Sequence, residues 1–480
     1  MGRAHVAREY PRGTFEAAPA PLGDDILGAL ESAGLAVDVS DSARAEHGRD
    51  WWPVSLLDVA AGRVPAWPGA VVTPRDESEV EAALSVAARF AVAVTAQGGR
   101  SSVVGGAQPS PAGIALDLTG LNEIGPIDAT SGLVDVGAGV FGPDLDAALA
   151  PHGLTVGHFP QSYEFSTVGG WLACRGAGQY SNRYGTAADL VRGLRVTLAS
   201  GRSLSLGAKS PRAALGPDLT QLFVGSEGTL GVITRATLIA RERPAGDERR
   251  AFGLATFLDG LEVCRRILRR GASPAVLRLY DEIEAARLFN VAHPVLLVLD
   301  EGDELLTRAT MAVVDAEASS LTTLDPALVG QWLAHRNDVS SLADLWARGV
   351  VVDTIEVAAP WSALATMCEE ILAGLRALAG TVMASVHQSH AYGDGACLYF
   401  TFAGVGDDPL AYYRAAWDRV MPLAMARGAI SHHHGIGRNR ARFVTDALGD
   451  SFSILEAVKR ELDPLGILNP GVLALGGEAW

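Results

Sequence analysis

Gly225-Ser226-Glu227-Gly228-Thr229-Leu230-Gly231-Val232-Ile233-Thr234 sets three glycines among hydroxyl side chains, immediately ahead of an apolar, β-branched run. Small residues let backbone amides approach a ligand closely, and the run from 230 to 238 predicts the strand that anchors the loop. Two further segments share this character. The first is Gln97-Gly98-Gly99-Arg100-Ser101-Ser102. The second is Gln161-Ser162-Tyr163-Glu164-Phe165-Ser166-Thr167-Val168-Gly169-Gly170-Trp171, continuing to Cys174-Arg175-Gly176-Ala177-Gly178. Together they point to a cofactor gripped by main-chain N–H groups, whose pyrophosphate needs no lysine clamp.

A chain of 480 residues exceeds what one hydrophobic core usually supports, so two domains and a short terminal arm are expected. With 54 glycines and 24 prolines it is a globular, turn-rich chain whose loops carry function. The formal net charge of −16 repels phosphate backbones and anionic headgroups, which argues against nucleic acid and membrane surfaces as partners. Met1-Gly2-Arg3-Ala4-His5-Val6-Ala7-Arg8 is polar and reaches Pro11 without an apolar run resembling a secretory signal, and no stretch is long and uncharged enough to span a bilayer. A cytoplasmic location is the default expectation. Cys174, Cys264, Cys368 and Cys397 are far apart, without a Cys-x-x-Cys pair, and read as reduced and structural.

Outward from the loops, periodicity predicts helices at 24–33 and 144–150, and another starting at 76–79 with Val80, Ala83, Leu84 and Ala87 on its apolar face. Strands are expected at 70–72, 91–95, 113–118 and 132–136, with a hairpin pairing 194–198 and 203–206. Arg241 to Pro244 mark a boundary by charge and proline, and alternating helices and strands then run to about residue 426. Residues 1–66 carry no nameable chemistry. Gly137-Ala138-Gly139-Val140-Phe141-Gly142 matches the dinucleotide fingerprint G-x-G-x-x-G, but Pro143 follows its third glycine and Glu164 is its only acidic residue at about the right distance, so a plain turn is the favoured reading.

The three loops, in this order, resemble the FAD-binding domain of the vanillyl-alcohol oxidase and p-cresol methylhydroxylase (PCMH-type) superfamily. Within it the chain is most similar to the alkyldihydroxyacetonephosphate synthase family, over about residues 69–480. The resemblance implies an α+β fold of two domains with FAD between them. Its divisions are an arm with helices (1–66), a PCMH-type FAD-binding domain (67–243), an α+β substrate or cap domain (244–426) and a C-terminal segment closing the FAD site (427–480). FAD contacts are implied for Gln97, Gly98, Gly99, Arg100, Ser101, Ser102, Gln161, Ser162, Ser166, Thr167, Gly170, Cys174, Arg175, Gly176, Ala177, Glu227, Gly228, Gly231, Val232 and Ile233. Relatives that attach flavin through the first loop have a histidine there. This chain has Gly99-Arg100, so non-covalent FAD is expected.

His432-His433-His434-Gly435-Ile436-Gly437 resembles the family's His-His-His-Gly-(Val/Ile)-Gly signature, where the histidines handle protons and an anionic substrate. Imidazoles titrating near neutrality suit both tasks; packing and metal binding are the alternatives, and three consecutive side chains diverge too far to grip one ion, so no metal is expected. Tyr399 matches the family's proton acceptor, and strand alternation sets it on one face with Thr401, against Phe400 and Phe402 on the other. Arg278, flanked by apolar residues, matches a substrate-domain arginine, with a structural ion pair the alternative. His158 matches a family histidine.

Two departures stand out. Ser340-Ser341-Leu342-Ala343-Asp344-Leu345 replaces a stretch that carries an Arg-Asp step in the family, with Arg336 and Arg348 nearby, and His158-Phe159-Pro160-Gln161-Ser162 replaces His-Glu-Pro-Asp-Ser. The resemblance implies acyl-for-alkyl exchange on a phosphorylated ketone. In it Tyr399 takes a proton, flavin N5 forms an adduct as the acyl group leaves, a fatty alcohol enters, and Arg278 and the histidines hold the phosphate. The alternatives are an FAD-dependent oxidoreductase of an alcohol, amine or 2-hydroxy acid, and a non-catalytic FAD scaffold. The expected partner is a small, anionic substrate, and a homodimer is the expected assembly.

Overall fold

The structure, a computed structural model, describes residues 16–207, 210–338, 345–346 and 348–477; residues 1–15 of the arm and the departure at 340–344 lie outside them. Four sheets organise the described residues. Strands β1 (Val37–Asp38), β2 (Ala70–Val72), β3 (Val94–Gln97) and β4 (Ile114–Asp117) form the first, in the order β1-β2-β4-β3, with β2, β4 and β3 parallel. Next in the chain come β5 (Ile124–Asp128), β6 (Leu133–Gly137), β7 (Leu154–Thr155), β8 (Val191–Thr197), β9 (Ser203–Gly207), β10 (Val232–Ile239) and β11 (Arg241–Glu242). Five of them make the antiparallel sheet β5-β6-β10-β8-β9, and β7 pairs with β11.

The largest sheet is antiparallel throughout, in the order β15-β12-β14-β13-β17-β18-β16. Its strands are β12 (Asp247–Gly253), β13 (Val276–Tyr280), β14 (Val295–Glu301), β15 (Thr322–Leu324), β16 (Val351–Pro360), β17 (Thr381–Ala391) and β18 (Gly395–Gly404). Phe400 and Phe402 on β18 are fully buried with Trp417, Val420 and Met421 of the helix Pro409–Met425, each phenyl contributing about 1.5–3 kcal/mol by burial. The opposite face of β18 is left for Tyr399 and Thr401, as alternation predicts.

Local patterning governs most of the elements. The helix Glu77–Phe90 is capped by the Asp76 side chain on Glu79 N–H and buries Val80, Ala83, Leu84 and Ala87. The strand expected at 91–95 begins later, at Val94, because Ala91 takes a left-handed conformation (φ 52°) to end that helix. Arg241 and Glu242, read as a boundary, form β11. The G-x-G-x-x-G stretch is a tight turn: β6 has antiparallel neighbours on both sides, which rules out a parallel βαβ unit there.

Candidate active site

Cross-strand register builds the centre of the site. Glu356 pairs with Tyr399, Tyr399 with His387, and His387 with Tyr280, so one row of side chains crosses β16, β18, β17 and β13. The Tyr399 and His387 rings stack at 4.6 Å, and His387 Nδ1 lies 2.9 Å from Glu284 Oε2. Burial raises the Glu284 carboxyl, but His387, Arg287 and the Thr401 hydroxyl outweigh it and hold the group at about 2. Tyr399 OH lies 2.6 Å from His433 Nε2, and burial pushes the phenol well above its ordinary value. His433 is therefore the nearest group that can relieve Tyr399 of its proton.

The histidine turn is held by two carboxylates, one from β16 and one from the third glycine loop. Glu356, fully buried, accepts from Ser431 Oγ (2.8 Å), from the N–H groups of His432 and His434, and from Arg440 Nη1 (2.9 Å). On the far side Glu227 accepts from Ile436 N (2.7 Å) and Gly437 N (2.8 Å). Gly435 (φ 84°) and Gly437 (φ 55°) let the turn pass; a Cβ at Gly437 would strike the Val104 carbonyl. The expectation that these histidines titrate near neutrality is corrected: burial lowers all three, His433 well below its usual value and His434 to about 4. Burial raises the Glu356 carboxyl, but the Arg440 charge, then His434 and His433, and the His432 amide outweigh it and keep the group ionised.

His390, His432 and His433 place ring nitrogens within 4.8 Å of one another, as Glu356, Cys397 and His433 place ligand atoms. Yet the Nδ1 atoms of His432 and His433 are 2.8 Å apart, whereas two nitrogens on one tetrahedral zinc ion, each at about 2.0–2.1 Å, sit about 3.3 Å from each other. The spacing present is that of a shared proton.

Beside this cluster the three glycine loops converge. A Cβ on Gly98 would strike Thr167, and one on Gly99 the Phe165 carbonyl, so the first loop lies directly on the second. Glu227 N–H donates to the Ala173 carbonyl, backing the third loop onto the second. Each loop holds one non-glycine residue at positive φ: Arg100 (54°), Arg175 (55°) and Glu227 (50°). Such conformations concentrate where a ligand dictates the backbone. Among the described residues the N–H groups of Gly98, Gly99, Arg100 and Ser101 find no protein acceptor, and Gln97 Oε1 is buried without a donor. Unspent donors on the first loop, which lies directly on the second, fit the diphosphate of a dinucleotide.

The other expected contacts fall around these loops. Thr167 caps the helix Val168–Ala173, where Gly170 is exposed, and Ser166 Oγ accepts from the Trp171 indole. Gln161 is exposed and Ser162 half-buried on the approach. Ser102 Oγ accepts from Val104 and Gly106, and Gly176 and Ala177 follow Arg175. Gly231 packs on Val196 and Phe223, with Val232 and Ile233 entering β10. Gly228 turns at φ 74°, and burial pushes the Cys174 thiol up to about 12. His158 is placed apart: its ring lies against Trp171, both nitrogens are buried without partners among the described residues, and burial lowers it to about 3.

Residues 46–51 of the N-terminal region brace the first loop. His47 carbonyl accepts from Gln97 Nε2, Glu46 pairs with Arg100, and Trp51 N–H donates to the Ser102 carbonyl. From the other terminus Asn469 Nδ2 donates to the carbonyls of Gly106 (3.0 Å) and Glu227 (2.7 Å).

Arg278 donates to the hydroxyls of Tyr280 and Ser389. Its guanidinium lies 5.2 Å from the Trp332 ring centre; that of Arg336 lies 5.6 Å from the same ring and also faces Phe159 and Tyr180. Arg336 Nη1 is buried without a partner among the described residues, while Arg348 is exposed. Glu356, Glu284, His387, His390 and Asn469 escaped the sequence reading, and Arg336 was noted there only as lying near the altered stretch. Only Glu356, which with Asp353 interrupts the otherwise largely apolar strand Val351–Pro360, left a signal there.

Comparison with known proteins gives consistent results. Residues 68–207 match a family described as FAD binding domain, and residues 245–473 one described as FAD linked oxidases, C-terminal domain. The chain is 28% identical to alkyldihydroxyacetonephosphate synthase of Trypanosoma brucei brucei, over 94% of this chain and 80% of that protein. It is 30% identical to an uncharacterized FAD-linked oxidoreductase of Mycobacterium tuberculosis, over 85% and 91%. Among solved structures, an alkyldihydroxyacetonephosphate synthase superposes with a TM-score of 0.80 at 23% identity, covering 95% of this chain and 87% of that one, a likeness of fold. No described helix is long and apolar enough to cross a membrane.

Proposed function

The chain belongs to the FAD-linked oxidase family and binds FAD, and from that premise we propose that it catalyses acyl-for-alkyl exchange on a small phosphorylated ketone, as its synthase relatives are named for, with non-covalent FAD. The observation that carries this reading is the 2.6 Å bond between Tyr399 and His433 on the row that Glu356 and His387 flank. FAD, when bound, supplies the electron reservoir for the exchange. Tyr399 removes the substrate proton once His433 has accepted its own. Arg278, supported by Arg336 across Trp332, holds the substrate's anionic group, since its hydrogen-bond partners are neutral hydroxyls. The loops 97–102, 161–177 and 227–233 hold FAD through main-chain donors, and with glycine at position 99 no side chain there can bond to the flavin.

Oxidation of an alcohol, amine or 2-hydroxy acid by the same residues is the second reading. The 30% identity to a protein named FAD-linked oxidoreductase supports it, as does Phe159 standing where the synthase pattern has a carboxylate. Incorporation of a labelled fatty alcohol without oxygen consumption is the expected result. Anaerobic flavin bleaching by a hydroxy acid or alcohol, with no incorporation, would decide for oxidation. Tyr399→Phe should abolish either activity while the flavin spectrum persists; full activity would refute Tyr399 as the base.

A further inference from the structure

The Tyr399–His433 contact is the first link of a longer chain. His433 Nδ1 lies 2.8 Å from His432 Nδ1, and His432 Nε2 3.0 Å from the Tyr392 hydroxyl. The Tyr392 hydroxyl lies 3.2 Å from Ser181 Oγ, which lies 2.7 Å from His390 Nδ1. Every member can give one proton and accept another. One assignment of hydrogens uses each group once: Tyr399 donates to His433 Nε2, His433 Nδ1–H to His432 Nδ1, His432 Nε2–H to Tyr392, Tyr392 to Ser181, and Ser181 to His390 Nδ1. His390 is then neutral with its proton on Nε2. The chain also curves back on itself, since the His390 ring stacks on His432 at 4.9 Å and lies 6.3 Å from the Tyr399 ring.

We propose that Tyr392, Ser181 and His390 complete a proton relay that makes His390 the second acid–base group of the site. The proposal rests on Tyr399 as the base. A proton taken from the substrate by Tyr399 moves each hydrogen one link along, and Ser181 passes its own to His390 Nδ1. His390 releases its Nε2 proton to the leaving group. The chain ends neutral, with every donor reversed. When the incoming alcohol gives its proton to His390 Nε2, the sequence runs backward and Tyr399 returns a proton to the substrate. No imidazolium has to persist, which agrees with a buried His390 whose charged form is strongly disfavoured. Ser181 opens the helix Ser181–Tyr184 that follows the second glycine loop, whereas Tyr392 lies in the β17–β18 turn. The relay therefore closes only when those two parts of the chain are docked.

The test is Tyr392→Phe, which removes one hydroxyl but keeps the ring and the backbone carbonyl that Trp361 bonds. In FAD-loaded, 15N-histidine-labelled protein without substrate, His433 should be protonated at Nδ1 and His432 at Nε2; the variant should show mixed tautomers at both. Its kcat should fall on the order of 10²-fold with KM and flavin absorbance unchanged. Ser181→Ala should behave alike, and Ser181→Thr, which keeps the hydroxyl, should restore both readouts. Wild-type kcat in Tyr392→Phe overturns the relay, whatever the spectra show. A fall in kcat with unaltered tautomers overturns it too, because the loss then arises elsewhere. Failure of the base assignment is seen separately, as activity in Tyr399→Phe.

Discussion

Glu227 belongs to two structures at once: its backbone, at φ 50°, turns the third glycine loop, and its carboxylate receives the N–H groups of Ile436 and Gly437. Burial pushes the carboxyl up from 4.5 to about 7, only partly opposed by those two amides and by Arg440. Because the folded value lies above the unfolded one, folding favours the protonated form. The resulting stabilisation is complete below about pH 4.5 and is lost as the pH rises through about 7. Glu227→Gln removes this titration and leaves the others, including the similarly raised Asp50 and Asp353. Between those pH values wild type should lose on the order of 3 kcal/mol relative to the variant, measured by denaturant unfolding of the FAD-loaded protein. Parallel curves would show that Glu227 is ionised throughout. Glu227 was legible as a loop residue because its loop is contiguous in sequence. Its grip on a turn 209 residues away was not, since nothing local records which amides a carboxylate will meet.

At the scale of elements, the histidine turn owes its shape to a buried ion pair. Glu356 and Arg440 are both fully buried, and Glu356 also receives two turn amides. Removing one charge of such a pair costs about 3–5 kcal/mol, because the other is left uncompensated. Glu356→Gln should therefore lose about that much in urea unfolding. Adding Arg440→Met should recover part of the loss, and an unchanged midpoint in the single variant would contradict a structural pair. The same scale shows what patterning can reveal. The helix Glu77–Phe90 and the two faces of β18 follow from periods of 3.6 and 2, which each segment carries by itself. The row Glu356, Tyr399, His387, Tyr280 depends on four strands finding one register, a non-local outcome that no single strand encodes. The misleading G-x-G-x-x-G turn is the converse case, a local pattern whose meaning is set by antiparallel neighbours.

Across the whole molecule, the cradle is assembled from stretches that span nearly the entire chain. Residues 46–51 brace the first loop, the three loops stack on one another, and Asn469 ties the C-terminal segment to Gly106, Glu227 and Thr95. A ligand that binds only when these parts are together stabilises all of them, by about 2.7 kcal/mol at a concentration of 100 Kd. FAD should accordingly raise Tm in a concentration-dependent way, with the sheets described above unfolding together. Asn469→Ala separates bracing from mere packing. Loss of its buried hydrogen bonds costs about 1–3 kcal/mol in any case. If Asn469 aligns the first and third loops for the cofactor, the variant should also bind FAD about tenfold or more weakly, equivalent to about 1.4 kcal/mol. The rise in Tm produced by a fixed excess of FAD should then be smaller in the variant. Were Asn469 only part of the packing, apo and FAD-loaded protein would lose equal stability and the FAD-induced rise would match wild type. Calorimetry of both forms at several FAD concentrations distinguishes the two, because a cradle closed from the far end of the chain must make cofactor affinity depend on a residue that lies 235 positions beyond Thr234.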